Sequence, residues 1–541
     1  MGNRDTVQFR HFGTMVDMSR NAVMNVTSLK QWIDITADLG YNTLMLYTED
    51  TFEVDGNPYF GYMRGRYSKK ELKEINAYAL EKGMDLIACT QMLAHQNACK
   101  RWPDYQNHFD TGDIFLVGDE RIYELIEDMF RTMAECFTSR LVNVGMDEAH
   151  MLGRGKYYDQ HGDSNRFEIL LEHLNRVAAI GKKYGFQLLM WSDMFFRLAS
   201  GGEYYVHDAD IDTSVARKIP DNVTLVYWDY YSQDKAHYDQ MIGAHEKLAK
   251  DTWFAGGLWS WTGFAPHNGY SIGATEAALS ECRRHGVQDV FLTMWGDNGG
   301  ECSRFSLLPS LFYASEVAKG NSDADMIKEK FGEKYGLTFD QFMQLDLTGT
   351  PVARADHIIN TEKYALYNDC LTGLLDSTLT GEENAQFEAC AQKLEPLKND
   401  AQWGWLFESA WALCKALSIK ADLGLKTHAV YASRDHEALT PLIEEYEALE
   451  RVLEEFYYAY RRQWFRENKP HGFDIQDIRL GGLMRRVKSV KERLQALANG
   501  EISVIEELEE ARLDFRGDGE QFEKRPICFN SWAGAVSANV I

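Results

Sequence analysis

From its start the chain alternates short apolar runs, rich in β-branched and aromatic residues, with longer stretches whose apolar positions recur every three to four residues. The short runs fall at 12–17, 42–47, 85–90, 141–145, 186–191, 223–228, 253–258 and 290–295, and each is a predicted strand. Helix signals separate them. Ser68 with Glu71 three residues on forms a capping box that predicts a helix ending at Gly83. Asn165 opens a second helix, which reaches Lys183 just before Gly185, and a third covers 28–39 and stops at Gly40. Eight strand-helix units in roughly the first 310 residues is the count of a closed (β/α)8 TIM barrel. A doubly wound open sheet usually has fewer strands and often a glycine-rich first turn, and this chain shows no such turn.

Past residue 345 strand signals stop and long helical patterns follow, at 384–399, 403–423, 435–468 and 478–498. The expected organisation is a catalytic barrel over 1–345, an all-α C-terminal domain over 346–515 and an extended tail over 516–541. The helical region offers no second catalytic cluster. Its expected work is packing, and it is where a homodimer would be built.

Composition narrows the ligand. With 57 Lys and Arg against 82 Asp and Glu, the formal charge of −25 argues against nucleic acid or an anionic membrane as partner. Thirteen Trp and 27 Tyr suit an amphipathic ligand such as a sugar. No apolar window reaches the roughly 18 residues a membrane span needs. The N-terminus lacks a signal-peptide pattern, so the expected location is the cytoplasm. Nine scattered cysteines without CxxC spacing read as reduced thiols, not as a zinc site.

In a (β/α)8 barrel, chemistry sits at the C-terminal ends of the strands. The residues there are Asp17 and Arg20; Glu49 and Asp50; His95; Asp147 and Glu148; Trp191 and Asp193; Trp228, Asp229 and Tyr230; Trp259 and Trp261; Trp295 and Asp297. Acids, one histidine and tryptophans at four successive strands converge on one rim. The adjacent pair Asp147-Glu148 is the most informative. Neighbouring carboxylates in different surroundings can be driven to different pKa values, one ionised and one holding a proton. Ordinary glycoside hydrolysis places its two carboxyl groups on opposite sides of the sugar, which consecutive residues do not easily do. They suit the variant in which a 2-acetamido group is the nucleophile: one carboxylate orients the amide N–H and its neighbour protonates the leaving oxygen. That selects an N-acetylhexosamine substrate.

These segments resemble glycoside hydrolase family 20, the β-N-acetylhexosaminidases, and most of all its hexosaminidase D-type branch. The resemblance rests on Asn143-Val144-Gly145-Met146-Asp147-Glu148 with Leu152-Gly153-Arg154-Gly155, on Tyr47-Thr48-Glu49-Asp50-Thr51-Phe52, and on Gln91-Met92-Leu93-Ala94-His95. Leu189-Met190-Trp191-Ser192-Asp193-Met194, Val226-Tyr227-Trp228-Asp229-Tyr230 and Leu292-Thr293-Met294-Trp295 extend it across residues 9–315. It implies an exo-acting enzyme that removes terminal non-reducing β-linked GlcNAc or GalNAc with retention, through an oxazolinium intermediate and without a cofactor or metal. Asp147 would orient the acetamido group, and Glu148, its pKa raised by burial and by its neighbour, would be acid and then base. Tyr230, with Tyr231 as alternative, would bond the acetamido oxygen. Trp191, Trp228 and Trp295 would wall the pocket, and Trp259 and Trp261 occupy the strand-seven position. Arg20, Glu49, Asp50 and Asp297 would bind outer hydroxyls, and His95 would support the acid pair.

The chain departs from the family pattern at Asn143, where His is usual, at Phe12, where many members carry Arg and where Arg10 or Arg20 would substitute, and at Leu258-Trp259-Ser260-Trp261, which replaces a Tyr-x-Asp. Two other readings remain. A metal-dependent barrel hydrolase would need more histidines than the single well-placed His95, and there is no HExxH. A non-catalytic N-acetylhexosamine-binding barrel would keep the tryptophans but gives the acid pair no purpose.

Overall fold

The computed structural model describes residues 6–206, 216–249, 251–351, 358–515, 517 and 528. Most of the expected tail lies outside the described residues. Eight parallel strands close into a barrel: β1 (His11–Asp17), β2 (Thr43–Tyr47), β3 (Asp85–Cys89), β4 (Leu141–Asn143), β5 (Gln187–Trp191), β6 (Val223–Trp228), β7 (Thr252–Gly257) and β8 (Asp289–Met294). Closure is made by β1 on β8, with Gly13 opposite Phe291 and Met15 opposite Thr293. The (β/α)8 expectation therefore holds strand for strand. β2 and β8 are buried along their whole length, because a parallel barrel is covered on both faces, by its own interior side chains and by the outer helices.

The helices form where capping chemistry predicts. Ser68 accepts from the Glu71 amide while Glu71 accepts from the Ser68 amide at 2.8 Å, opening Lys69–Glu81. Asn165 caps Arg166–Lys183 through the amides of Phe167 and Glu168. The described cysteines are free thiols. No helix among the described residues is long and apolar enough to cross a membrane.

The chain divides into two compact units. The first is Met1–Leu258, Ser271–Trp295 and Leu311–Asp323, and it holds all eight strands. The second comprises Trp259–Tyr270, Gly296–Ser310 and Ala324–Ile541. Its core is helical: Gly404–Lys420 packs with Glu383–Leu394 and with Leu439–Glu467, which in turn packs with Phe473–Ala498. Along Leu439–Glu467 the buried residues Leu442, Tyr446, Leu449, Leu453, Phe456 and Tyr460 follow the helical repeat. The segments after β7 and β8 count with this second unit, and so do Trp259, Trp261 and Asp297.

Candidate active site

The site in the barrel unit starts where β4 stops. Beyond Asn143 the backbone turns through three left-handed residues, Gly145 (φ 72°), Met146 (φ 70°) and Glu148 (φ 53°). Two of these are not glycine, and such conformations persist only where neighbours over-determine them. Gln91, two residues beyond β3, is the main determinant. Its Oε1 accepts the Met146 amide at 3.0 Å, and its Nε2 donates to Asp147 Oδ1 at 2.6 Å and to the Tyr47 hydroxyl at 3.0 Å. Gly145 is required because a Cβ there would stand 2.0 Å from Gln91 Oε1. Asn143 accepts the Gly145 amide at 2.9 Å, so the residue that replaces the family's usual histidine helps to shape the turn.

Asp147 is buried, with His95 Nε2 3.4 Å from its Oδ2. Burial alone would raise this carboxyl; the His95 charge and the Gln91 amide outweigh it, and Asp147 is held below the ordinary carboxylate range. His95 shows the converse. Burial disfavours its charged form, yet Asp147 carries it up to about 9.

Glu148 differs from expectation: its side chain is 41% exposed, not buried. From its left-handed backbone the side chain reaches His95 Nε2 and Arg197 Nη2, each 3.8 Å from one of its oxygens. Asp193, the first residue of helix Asp193–Ala199, fixes its backbone by accepting the Glu148 amide at 3.0 Å through Oδ2, which also accepts from Arg197 Nε at 3.0 Å. Asp193 Oδ1 is buried without a hydrogen-bond partner. Burial and then the charge of Asp147 push this carboxyl up to about 7.

A second polar group adjoins the first. Arg20 reaches Asp17 Oδ2 at 3.0 Å and Glu49 Oε1 at 3.4 Å, and lies over the rings of Tyr47 and Trp295. The Tyr47 hydroxyl donates to Glu49 at 3.1 Å. Burial raises the Glu49 carboxyl, against the pull of Arg20 and His95. Asp50, in contrast, is fully buried and turned to Arg64, whose Nε is 2.9 Å from its Oδ1.

Aromatic residues form the wall. Trp191 and Trp295 lie 6.2 Å apart, Trp228 stacks on Tyr230 at 5.4 Å, and Trp295 Nε1 donates to the Tyr230 hydroxyl at 3.1 Å. Tyr230 is buried whereas Tyr231 is half exposed. The buried indole N–H groups of Trp191 and Trp228 have no hydrogen-bond partner, so two donors stand ready in an otherwise apolar wall. In the second unit, Trp259 and Trp261 stack on each other at 4.1 Å, and Asp297 is exposed.

Gln91, noted in the sequence only as part of the strand-three segment, and Arg197 both reach the acid-pair loop although the sequence reading gives neither a role. A polar residue ending an apolar strand, and an arginine four residues after a strand-end aspartate, are the signals that would have found them. Among the described residues, two groupings place ligand atoms within 4.8 Å of one another, as a metal would require: His95 with Asp147 and Glu148, and Asp239 with Glu281 and His285. In the second, Arg284 already pairs with both carboxylates.

The chain is similar to known proteins over both of its parts. Residues 9–244 match the glycosyl hydrolase family 20 catalytic domain, and residues 338–526 the Glycoside Hydrolase 20C C-terminal domain. Hexosaminidase D of Bos taurus is 23% identical over 275 residues, covering 47% of this chain and 72% of the relative. A beta-hexosaminidase of Akkermansia muciniphila is 26% identical over 167 residues, covering 25% of this chain and 34% of that protein, so the chain spans about a third of its length. Among solved structures, the β-N-acetylhexosaminidase of Bacteroides fragilis aligns with a TM-score of 0.47 and 17% identity, over 62% of this chain and 71% of the other. With one domain match running through the barrel to residue 244 and the other filling most of the chain beyond residue 338, the protein belongs to glycoside hydrolase family 20 and is a glycoside hydrolase.

Proposed function

We propose that the protein is an exo-acting β-N-acetylhexosaminidase that hydrolyses terminal non-reducing β-linked GlcNAc or GalNAc with retention, using the substrate's acetamido group as nucleophile. The observation that carries the reading is the unequal treatment of two adjacent carboxyls. Asp147 is kept ionised by His95 and Gln91, and Glu148 stands open beside it.

In the first step Asp147 accepts the acetamido N–H and makes the carbonyl oxygen a better nucleophile. That oxygen bonds to the anomeric carbon as the bond to the aglycone oxygen breaks, and Glu148 gives its proton to the leaving oxygen. A sugar seated over Glu148 removes water from it and raises its pKa, which prepares the acid. In the second step Glu148, now ionised and favoured in that form by His95 and Arg197 nearby, takes a proton from water as the water opens the oxazolinium ring. Two displacements return the original configuration. Tyr230 is the hydroxyl proposed for the acetamido oxygen, Trp191, Trp228 and Trp295 the wall, and Arg20 and Glu49 ligands of outer hydroxyls.

The test is hydrolysis of the 4-nitrophenyl β-glycosides of GlcNAc, GalNAc and glucose by wild type, Glu148→Gln and Asp147→Asn, with and without a chelator. The reading expects cleavage of one or both acetamido sugars but not of glucose, a loss of at least about a hundredfold in each variant, and indifference to the chelator. Binding of an N-acetylated sugar without turnover by wild type would favour a binding barrel. Loss of activity with the chelator would favour a metal held by His95, Asp147 and Glu148.

A further inference from the structure

Three aromatic side chains that the chemistry above does not use form an exposed patch in the barrel unit. Tyr59 and Tyr62 are each 41% exposed, on the segment between β2 and helix Lys69–Glu81. Trp102 is half-buried, on the segment after β3. Their rings meet at 5.3 Å (Tyr59 and Trp102), 5.4 Å (Tyr62 and Trp102) and 6.1 Å (Tyr59 and Tyr62). Both segments leave the C-terminal ends of their strands, the end where barrel chemistry sits.

The patch is rigidly mounted. Gly61, with φ 67°, presses so closely on the chain that a Cβ would stand 2.0 Å from the Asp50 carbonyl oxygen. Arg64 ties the same turn to Asp50 Oδ1 at 2.9 Å and to the Ser19 carbonyl at 2.5 Å. Buried Phe60 meets Phe52 edge-on beneath it, and the Tyr105 hydroxyl donates to Asn57 at 3.3 Å, joining the turn to the segment that carries Trp102. Asp50 follows Glu49, which belongs to the site. Consecutive Cα atoms are about 3.8 Å apart, so Tyr59 and Tyr62 branch from backbone within about 8 Å of the Gly61 contact. An ordered aromatic surface open to water, on a turn held by the residue next to Glu49, offers flat apolar faces of the kind that pack on the C–H faces of a pyranose.

We infer that Tyr59, Tyr62 and Trp102 form the subsite for the sugar on the reducing side of the cleaved bond, so that the natural substrate is an oligosaccharide or glycan whose second ring stacks on this patch. This rests on the hexosaminidase reading above.

The experiment compares kcat/KM for the methyl β-glycoside of GlcNAc, whose aglycone is too small to reach the patch, with that for the β-1,4-linked GlcNAc disaccharide, using full-length wild type, Trp102→Ala, Tyr59→Ala/Tyr62→Ala and Trp102→Phe. The expected result is a loss of about tenfold on the disaccharide, through KM, in both alanine variants. The methyl glycoside should stay within about twofold, and Trp102→Phe should recover most of the loss. An equal loss on both substrates would make the patch a support of the fold, and no change on the disaccharide would leave it outside the substrate path. A wild-type dimer in light scattering that the alanine variants dissociate, with kinetics unchanged, would make it an interface between copies. Each of these overturns the inference while leaving the hexosaminidase reading intact, whereas wild type inactive on both substrates would remove that reading and this inference with it.

Discussion

Both units of the molecule bury acids, and in both burial pushes carboxyls upward. In the second unit Glu362 rises to about 8 and Glu467 to about 7; in the barrel Asp193 rises to about 7. What differs is their company. The second unit neutralises internally: Glu301 pairs with fully buried Lys363 and with Arg479 Nη1 at 3.1 Å, and Glu467 accepts from the Ser303 hydroxyl. The barrel's acids converge on an open strand end, where Asp147 is held low, Asp193 high and Glu148 faces solvent, on segments carrying the left-handed residues Glu49, His95, Met146 and Glu148. A raised pKa therefore does not distinguish a reacting acid from a sealed one. Divergent carboxyls, a solvent path and a strained backbone held by neighbours do so together.

Substitution can break this contrast. Glu148→Gln should lower kcat/KM on substrates with poor leaving groups by about two to four orders of magnitude. Glu362→Gln, measured in the same assay, should leave it unchanged; a comparable loss there would erase the distinction. Lys363→Met should cost about 3 kcal/mol in a urea titration, because Glu301 loses a buried partner and keeps only Arg479, while KM of the folded protein stays put.

His95→Gln sharpens the barrel half of the comparison. Without the imidazolium, burial dominates Asp147 and its pKa rises, so the acid limb of kcat/KM should move to higher pH. The stability conferred by the pair has a definite window. Asp147 is lowered on folding, so its contribution is present above its unfolded pKa and lost as pH falls through the folded value. His95 is raised, so its share is complete below its unfolded pKa and lost as pH rises through about 9. Urea titrations across pH should show both losses in wild type and neither in the variant. The smallest loss expected at the barrel site is from Asp193→Asn, which keeps an acceptor for the Glu148 amide and weakens the charge-assisted contact with Arg197; a loss of about two- to tenfold in kcat/KM matches that weakening.

Much of this was legible in the chain. Each strand is a short run bounded by turn residues, and a parallel barrel buries such runs on both faces, which is why periodicity located all eight within a residue or two. Asp147 and Glu148 were visible as an acid pair at a strand end. What they do not reveal is their separate exposure, because that depends on Gln91 and Asp193 reaching the loop from β3 and from the helix after β5. The helical pattern at 403–423 appears as the single helix Gly404–Lys420, but the helix Leu423–Ser433 that follows has no counterpart in the sequence pattern; the break between the two falls where Asp422 and Asn384 each accept the other's backbone amide at 2.9 Å. Such side-chain-to-backbone bonds compete with the helix and are made by a partner distant in sequence. The grouping of 259–270 and 296–310 with the helical unit is likewise a tertiary fact that no local pattern records.

The central claim, that the substrate's own acetamido oxygen is the nucleophile oriented by Asp147, is tested most directly by kcat/KM for a series of aryl β-glycosides of glucosamine bearing N-acetyl, N-fluoroacetyl, N-difluoroacetyl and N-trifluoroacetyl groups. kcat/KM should fall with each fluorine, because each withdraws electron density from the attacking carbonyl oxygen. A flat series in wild type would contradict the claim and would assign the nucleophile to the protein or to water.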